Sequence, residues 1–209
     1  MNKIIDNIKK FWNFIWNGDS ILSWIIFMVV AFIFIKFIFF PTVSFVTGSN
    51  LPIVIVESCS MYHGDNFNNW WNNNKEYYEG INISKENFSK FKLKNGFSKG
   101  DIFFVFGTKK QDIKIGDIII FSSGNINRPI IHRVIDLDPL QTKGDNNFIQ
   151  FEISNNAERI NEKNIQENQL IGKVVGFKVP FVGWLKLIFF EPFRPVQERG
   201  FCDSKESMK

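Results

Sequence analysis

The sequence predicts a mainly β, antiparallel domain carried behind an N-terminal transmembrane helix. Three observations predict it. Residues 21–40 (ILSWIIFMVVAFIFIKFIFF) form an apolar run with a single charge, Lys36. Residues 49–176 break into short runs rich in Ile, Val and Phe, bounded by Gly, Pro, Asn and Asp. No long helical period separates those runs, so hairpins are expected rather than parallel βαβ units.

Before the apolar run, Ile4, Ile8, Phe11, Trp12 and Ile15 fall at helical spacing on one face, with Lys9 and Lys10 on the other side. Residues 1–18 therefore read as a cytoplasmic segment whose helix lies on the inner leaflet or packs on a partner. Residues 19–41 read as the anchor. About 20 residues at a rise of about 1.5 Å span a bilayer's hydrocarbon core. Asp19 or Ser20 supplies an N-cap, and Pro41 fits the end. Lys36 lies near the outer end, where its stem carries the ammonium to the interface. No small-residue cleavage site follows, so the anchor is read as uncleaved. Lys3, Lys9 and Lys10 precede it, whereas residues 37–74 contain no Lys or Arg. That asymmetry puts the N-terminus in the cytoplasm and residues 47–176 outside.

Within the external domain, residues 51–56, 102–106, 118–121, 130–135 and 170–175 are the expected strands. They are rich in Ile, Val and Phe and too short for helices. Gly100-Asp101 and Gly116-Asp117 each read as a turn feeding the strand that follows. Residues 64–99 form a polar insertion with nine Asn, and with sequons at Asn82 and Asn87 that an external face exposes to glycosylation. Residues 177–190 (FKVPFVGWLKLIFF) are too short to span a membrane. They suit an interfacial segment bearing Trp184, Phe189 and Phe190, or a core strand and turn. Residues 191–209 form a polar, loosely ordered tail.

Composition narrows the function. The net charge of +4 comes without a basic stripe interleaved with aromatics, so nucleic acid is not an expected partner. Two Cys cannot make a disulfide scaffold, and with two His they leave little for a metal centre; no metal and no cofactor is expected. The residues that could do chemistry start with the two His, His63 and His132, and with the segments that could supply partners to a His base. His132 lies in the strand-like PIIHRVI, and a His base requires a nucleophile and an acid to orient it. Ser58-Cys59-Ser60-Met61 directly follows a strand, whose rigid backbone can present a nucleophile to a cleft. Thr142-Lys143-Gly144-Asp145-Asn146-Asn147 is a turn that brings in a carboxylate.

The anchor, VIVESCSM, GDIFFV, IGDIIIF, IIHRVI, TKGDNN and LIGKVVGFKVPFVGW occur in one order over residues 20–188. Together they resemble the archaeal and endoplasmic-reticulum type of signal peptidase I. The resemblance implies a signal-peptidase-like β domain and a membrane-anchored serine endopeptidase acting on signal-peptide-bearing precursors at a plasma membrane or equivalent secretory membrane. It implies Ser60 as nucleophile, His132 as general base, Asp145 as acid and the Ser58 hydroxyl as an oxyanion donor. It further implies that Ile53, Ile55, Ile130 and Ile131 bind an extended substrate beside the lipid bilayer. Two positions depart from the family pattern. Cys59 stands where Gly is frequent, which raises a sortase-like thiolate with His132 and Arg133 as an alternative. Phe151 stands where many relatives carry a second Asp, so Glu152 competes with Asp145 as the acid. A non-catalytic β module that binds exported chains is the reading from a different class.

Overall fold

The computed structural model describes residues 2–64, 66–123, 128–153 and 160–203. The last six residues of the polar tail, 204–209, lie outside the described residues. The chain divides into two compact units, residues 1–46 and 47–209.

The first unit is helical. Helix α1 (Asn2–Asn17) presents Ile4, Ile8, Phe11 and Trp12 outward, while Ile15 is buried. Trp16 stacks on Trp12 and meets the edge of Phe27. Helix α2 (Ile21–Phe34) starts where the Ser20 hydroxyl accepts the Ser23 N–H, the N-cap that its sequence offers. It continues through a π-helical segment, Ile35–Phe39, into α3 (Phe40–Thr47). Pro41 was expected to end the helix and does not. Proline lacks an N–H and crowds the carbonyl four residues back. The wider turn just before it, where the Phe40 N–H reaches the Ile35 carbonyl, relieves that crowding. The result is one apolar helix of 27 residues, Ile21–Thr47, long enough to cross a membrane.

Among the described residues the second unit is built on six strands: β1 (Ile53–Ile55), β2 (Ile102–Phe106), β3 (Ile118–Phe121), β4 (Ile130–Leu137), β5 (Leu140–Lys143) and β6 (Leu170–Val179). Their order is β1-β2-β6-β3-β4-β5, and every neighbouring pair is antiparallel. Strand β3 is buried along its whole length because apolar layers cover both faces. Ile118 and Ile120 pack with Val56, Met61, Phe103 and Val105, while Ile119 and Phe121 pack with Val134, Leu140 and Ile165. Each such side chain contributes about 1.5–3 kcal/mol on leaving water.

Three elements differ from the sequence expectation. Strand β5 reads LQTK and carries no apolar signal beyond Leu140. It pairs with β4, and Lys143 is buried under the rings of Tyr77 and Tyr78, at 4.7 and 5.2 Å. The insertion holds two helices, α4 (Phe67–Gly80) and α5 (Lys85–Ser89), capped by the Asn66 and Ser84 side chains. Trp70, Trp71, Tyr78, Ile83 and Phe88 form a third core against Ile135 of β4. Finally, residues 177–190 divide between the end of β6 and helix α6 (Trp184–Phe190).

Candidate active site

Ser60 follows β1 in a turn closed by the Tyr62 N–H on the Cys59 carbonyl. Asn146 braces this turn from the β5 side. Its backbone N–H donates to the Ser60 carbonyl at 2.7 Å, and its side-chain amide donates to the Cys59 carbonyl at 3.0 Å. The Ser60 Oγ lies 2.9 Å from His132 Nε2 and 3.1 Å from the Ser58 Oγ.

His132 is buried on β4, opposite Ile119 of β3. Strand alternation sends its neighbour Arg133 to the other face. His132 Nδ1 meets the carboxylate of Glu162, which is fully buried. Glu162 is fixed in turn. The Thr142 hydroxyl donates to one oxygen at 3.1 Å and the Phe151 N–H to the other at 2.8 Å. Its backbone bonds Thr142 and Phe151 as well, so the residue is held beside β5 by both main chain and side chain. The Phe151 ring lies nearly parallel to the imidazole at 6.5 Å.

The structure does not bring Asp145 to His132. Asp145 takes two hydrogen bonds from Arg133 Nε and one from Nη2, at 2.7–3.1 Å, and one from the Tyr78 hydroxyl. Its Oδ2 also lies 3.0 Å from His63 Nε2. The physical reason is alternation along β4: His132 and Arg133 point to opposite faces, and Asp145 lies on the arginine's side. Burial alone would raise the Asp145 carboxyl pKa, but the Arg133 guanidinium and His63 outweigh it and hold it well below the usual range. Burial lowers the pKa of His63, and the neighbouring Asp145 only partly offsets it. The His63 ring stacks on Trp70 at 3.8 Å, with Nδ1 buried and without a hydrogen-bond partner among the described residues.

The remaining candidates from the sequence are placed as follows. Glu152 pairs with Lys163, 2.5 Å away at the surface. Cys59 is not a thiolate, because it forms a disulfide with Cys202. Arg133, the third member of the sortase-like set, is committed to Asp145. Ile53 and Ile55 lie half-buried on β1, the edge of the sheet. Ile130 and Ile131 lie half-buried on β4, beyond the last residue that β5 pairs, which is Arg133. Each pair therefore has one backbone edge without a ladder partner among the described residues. Such edges accept an extended peptide.

Two contributors escape a reading of the sequence. Glu162 lies ten positions past Glu152, behind residues 154–159, and no spacing signals it. Asn146 sits in the TKGDNN segment, whose turn signal is visible although its partner is not.

No family model matches the chain. It is similar to curated proteins named Signal peptidase complex catalytic subunit SEC11. The one from Candida tropicalis is 27% identical over 172 residues, covering 79% of this chain and 82% of that protein. The one from Candida albicans is 28% identical over the same length and shares. The one from Clavispora lusitaniae is 28% identical over 169 residues, or 78% and 80%.

Proposed function

We infer that this chain, a relative of the endoplasmic-reticulum type of signal peptidase I, is a membrane-bound serine endopeptidase that removes signal peptides from precursor proteins. The observation that carries the reading is the series of contacts from Ser60 Oγ to His132 Nε2 and from His132 Nδ1 to the Glu162 carboxylate.

An unassisted serine hydroxyl is a poor nucleophile. With Glu162 ionised and acceptor-only, Nδ1 carries the ring proton and Nε2 keeps its lone pair toward Ser60. His132 takes the Ser60 proton as Oγ attacks the scissile carbonyl, then gives it to the leaving amine. Glu162 holds the tautomer and stabilises the imidazolium. The Ser60 N–H and the Ser58 hydroxyl are the oxyanion donors; losing one such donor costs about 3–4 kcal/mol of transition-state stabilisation. Asp145 is a structural partner of Arg133. The peptide around the cut pairs with the edges at residues 53–55 and 130–131, and Ile53, Ile55, Ile130 and Ile131 border its side-chain pockets.

The apolar helix anchors the enzyme with its N-terminus in the cytoplasm and the peptidase domain on the external or luminal side of a secretory membrane. The relatives are named as subunits of a signal peptidase complex, and we propose that further membrane subunits accompany this chain too. The test is cleavage of a model precursor by membranes carrying the wild-type chain or Ser60→Ala. Cleavage by wild type and its abolition in Ser60→Ala are expected. An equally active Ser60→Ala would overturn the reading, and an inactive wild type would favour a non-catalytic binding module.

A further inference from the structure

The segment after the sheet is fastened to the nucleophile turn at several independent points. Trp184 opens it. Its indole N–H donates to the Lys99 carbonyl at 3.1 Å, and its ring fills the space where a side chain on Gly100 would stand. Gly100 has φ +89°, so glycine is required there twice over. Phe201 packs on the Trp184 ring at 4.4 Å. Lys99 is buried and bonds the Glu198 carbonyl and the Glu191 carboxylate, both at 2.7 Å. The segment braces itself as well, through Arg199 Nε on the Arg194 carbonyl and the Gly200 N–H on Glu191.

From this framework two groups reach the nucleophile turn. Arg194 is buried; it donates to the Glu57 carbonyl at 3.0 Å and to the Glu57 carboxylate at 2.6 Å. Cys202 is bonded to Cys59, whose Cα lies 5.5 Å away. Glu57 and Cys59 flank Ser58, and Cys59 is joined by its peptide bond to Ser60. The turn is thus gripped from two sides, by Asn146 beside β5 and by this segment on the other.

We propose that residues 184–203 form a strap that positions the nucleophile, with Arg194 and the Cys59–Cys202 bond holding Ser58 and Ser60 in register with His132. The proposal rests on the reading of Ser60 as the nucleophile. Arg194 and the cystine are positioning groups that act through the backbone of Glu57 and Cys59. Small misplacements of a nucleophile are expensive: about 1 Å can cost about 100-fold in rate. The strap also ties activity to an oxidising compartment, where the bond persists. Reduction by a dithiol breaks Sγ–Sγ, adds two electrons and two protons to give two cysteine thiols, and oxidises the dithiol to its cyclic disulfide.

The test uses the full chain in detergent, with kcat and KM on a precursor peptide and the rate of Ser60 labelling by a fluorophosphonate. Wild type, dithiol-treated wild type, Cys202→Ser and Arg194→Gln are compared. The strap is supported if the last three lose about tenfold in kcat and in labelling rate, with KM within twofold. Dithiol should then do nothing further to Cys202→Ser. If Cys202→Ser does not fold, dithiol-treated wild type, checked for folding by circular dichroism and for two thiols by mass, gives the same reading. Undiminished kcat and labelling in that reduced, folded protein overturn the strap, as does a loss that only tracks the fraction unfolded. Labelling that is redox-sensitive without precursor cleavage keeps the strap and rejects the substrate. Absence of Ser60 labelling in every form overturns both the strap and the nucleophile.

Discussion

His132 touches a hydroxyl through one ring nitrogen and a carboxylate through the other, and that pairing selects one productive tautomer. Glu162→Gln keeps the size and much of the hydrogen bonding to Thr142 and Phe151 but can donate to Nδ1, which favours the wrong tautomer. We expect kcat to fall by up to about 10⁴-fold with the thermal midpoint within a few degrees of wild type. Asp145→Asn should behave in the opposite way. It leaves the fully buried Arg133 guanidinium without its counter-charge, which costs about 3–5 kcal/mol. Urea denaturation should show that loss while kcat of the folded fraction stays close to wild type. A loss of kcat in Asp145→Asn without a loss of stability would return the acid's role to Asp145. The two residues differ in how legible they are. Asp145 sits in a turn motif that points to a site, and it does lie one layer from it. Glu162 has no motif, because a side chain brought in by the path of a loop leaves no periodic trace in the sequence.

Elements made of apolar runs are readable, and elements stabilised by tertiary cover are not. Strands β2 and β3 begin and end where their Ile, Val and Phe runs do. Strand β5 exists because β4 supplies its ladder and α4 its cover. Its Lys143 is the cost of that arrangement: burial lowers its pKa to about 8, against a usual value of about 10.4 when unfolded. Between those values the unfolded chain binds a proton that the folded one does not, so folding stability rises with pH there. Relative to Lys143→Met, the wild type should gain about 2 kcal/mol between pH 7 and pH 9.5, measured as denaturant midpoints. A flat difference would place the lysine's charge in a well-compensated site. The helices of the insertion are hidden for a related reason: Asn is a poor helix former, so α4 is held by its aromatics. Trp71→Ala should therefore cost about 3–5 kcal/mol, while substitution of the exposed Asn68 should stay within about 0.5 kcal/mol.

At the scale of the whole chain, the apolar helix belongs to the first unit, and a helix that crosses a membrane leaves the second unit on one side of it. The proposed orientation rests on charge: Lys3, Lys9 and Lys10 stand before the apolar helix, and residues 37–74 carry no Lys or Arg. The Cys59–Cys202 bond in the second unit points the same way independently, since disulfides persist outside the reducing cytosol. Charge and cystine are the two observations behind the proposal that residues beyond 47 lie on the side away from the cytoplasm. Protease confined to the face of the membrane away from the cytoplasm should therefore digest the second unit and leave a tag fused before Asn2 intact. Replacing Lys3, Lys9 and Lys10 by Gln removes the bias that retains the N-terminus, and should yield a mixed population in which part of the second unit is protected. If the unit is protected in wild type, the lysines do not orient this helix. In that case Cys59 and Cys202 should also titrate as free thiols, because the domain would face the reducing compartment. The two measurements must agree: a protected domain with an intact disulfide would mean that the strap does not depend on the compartment the domain faces.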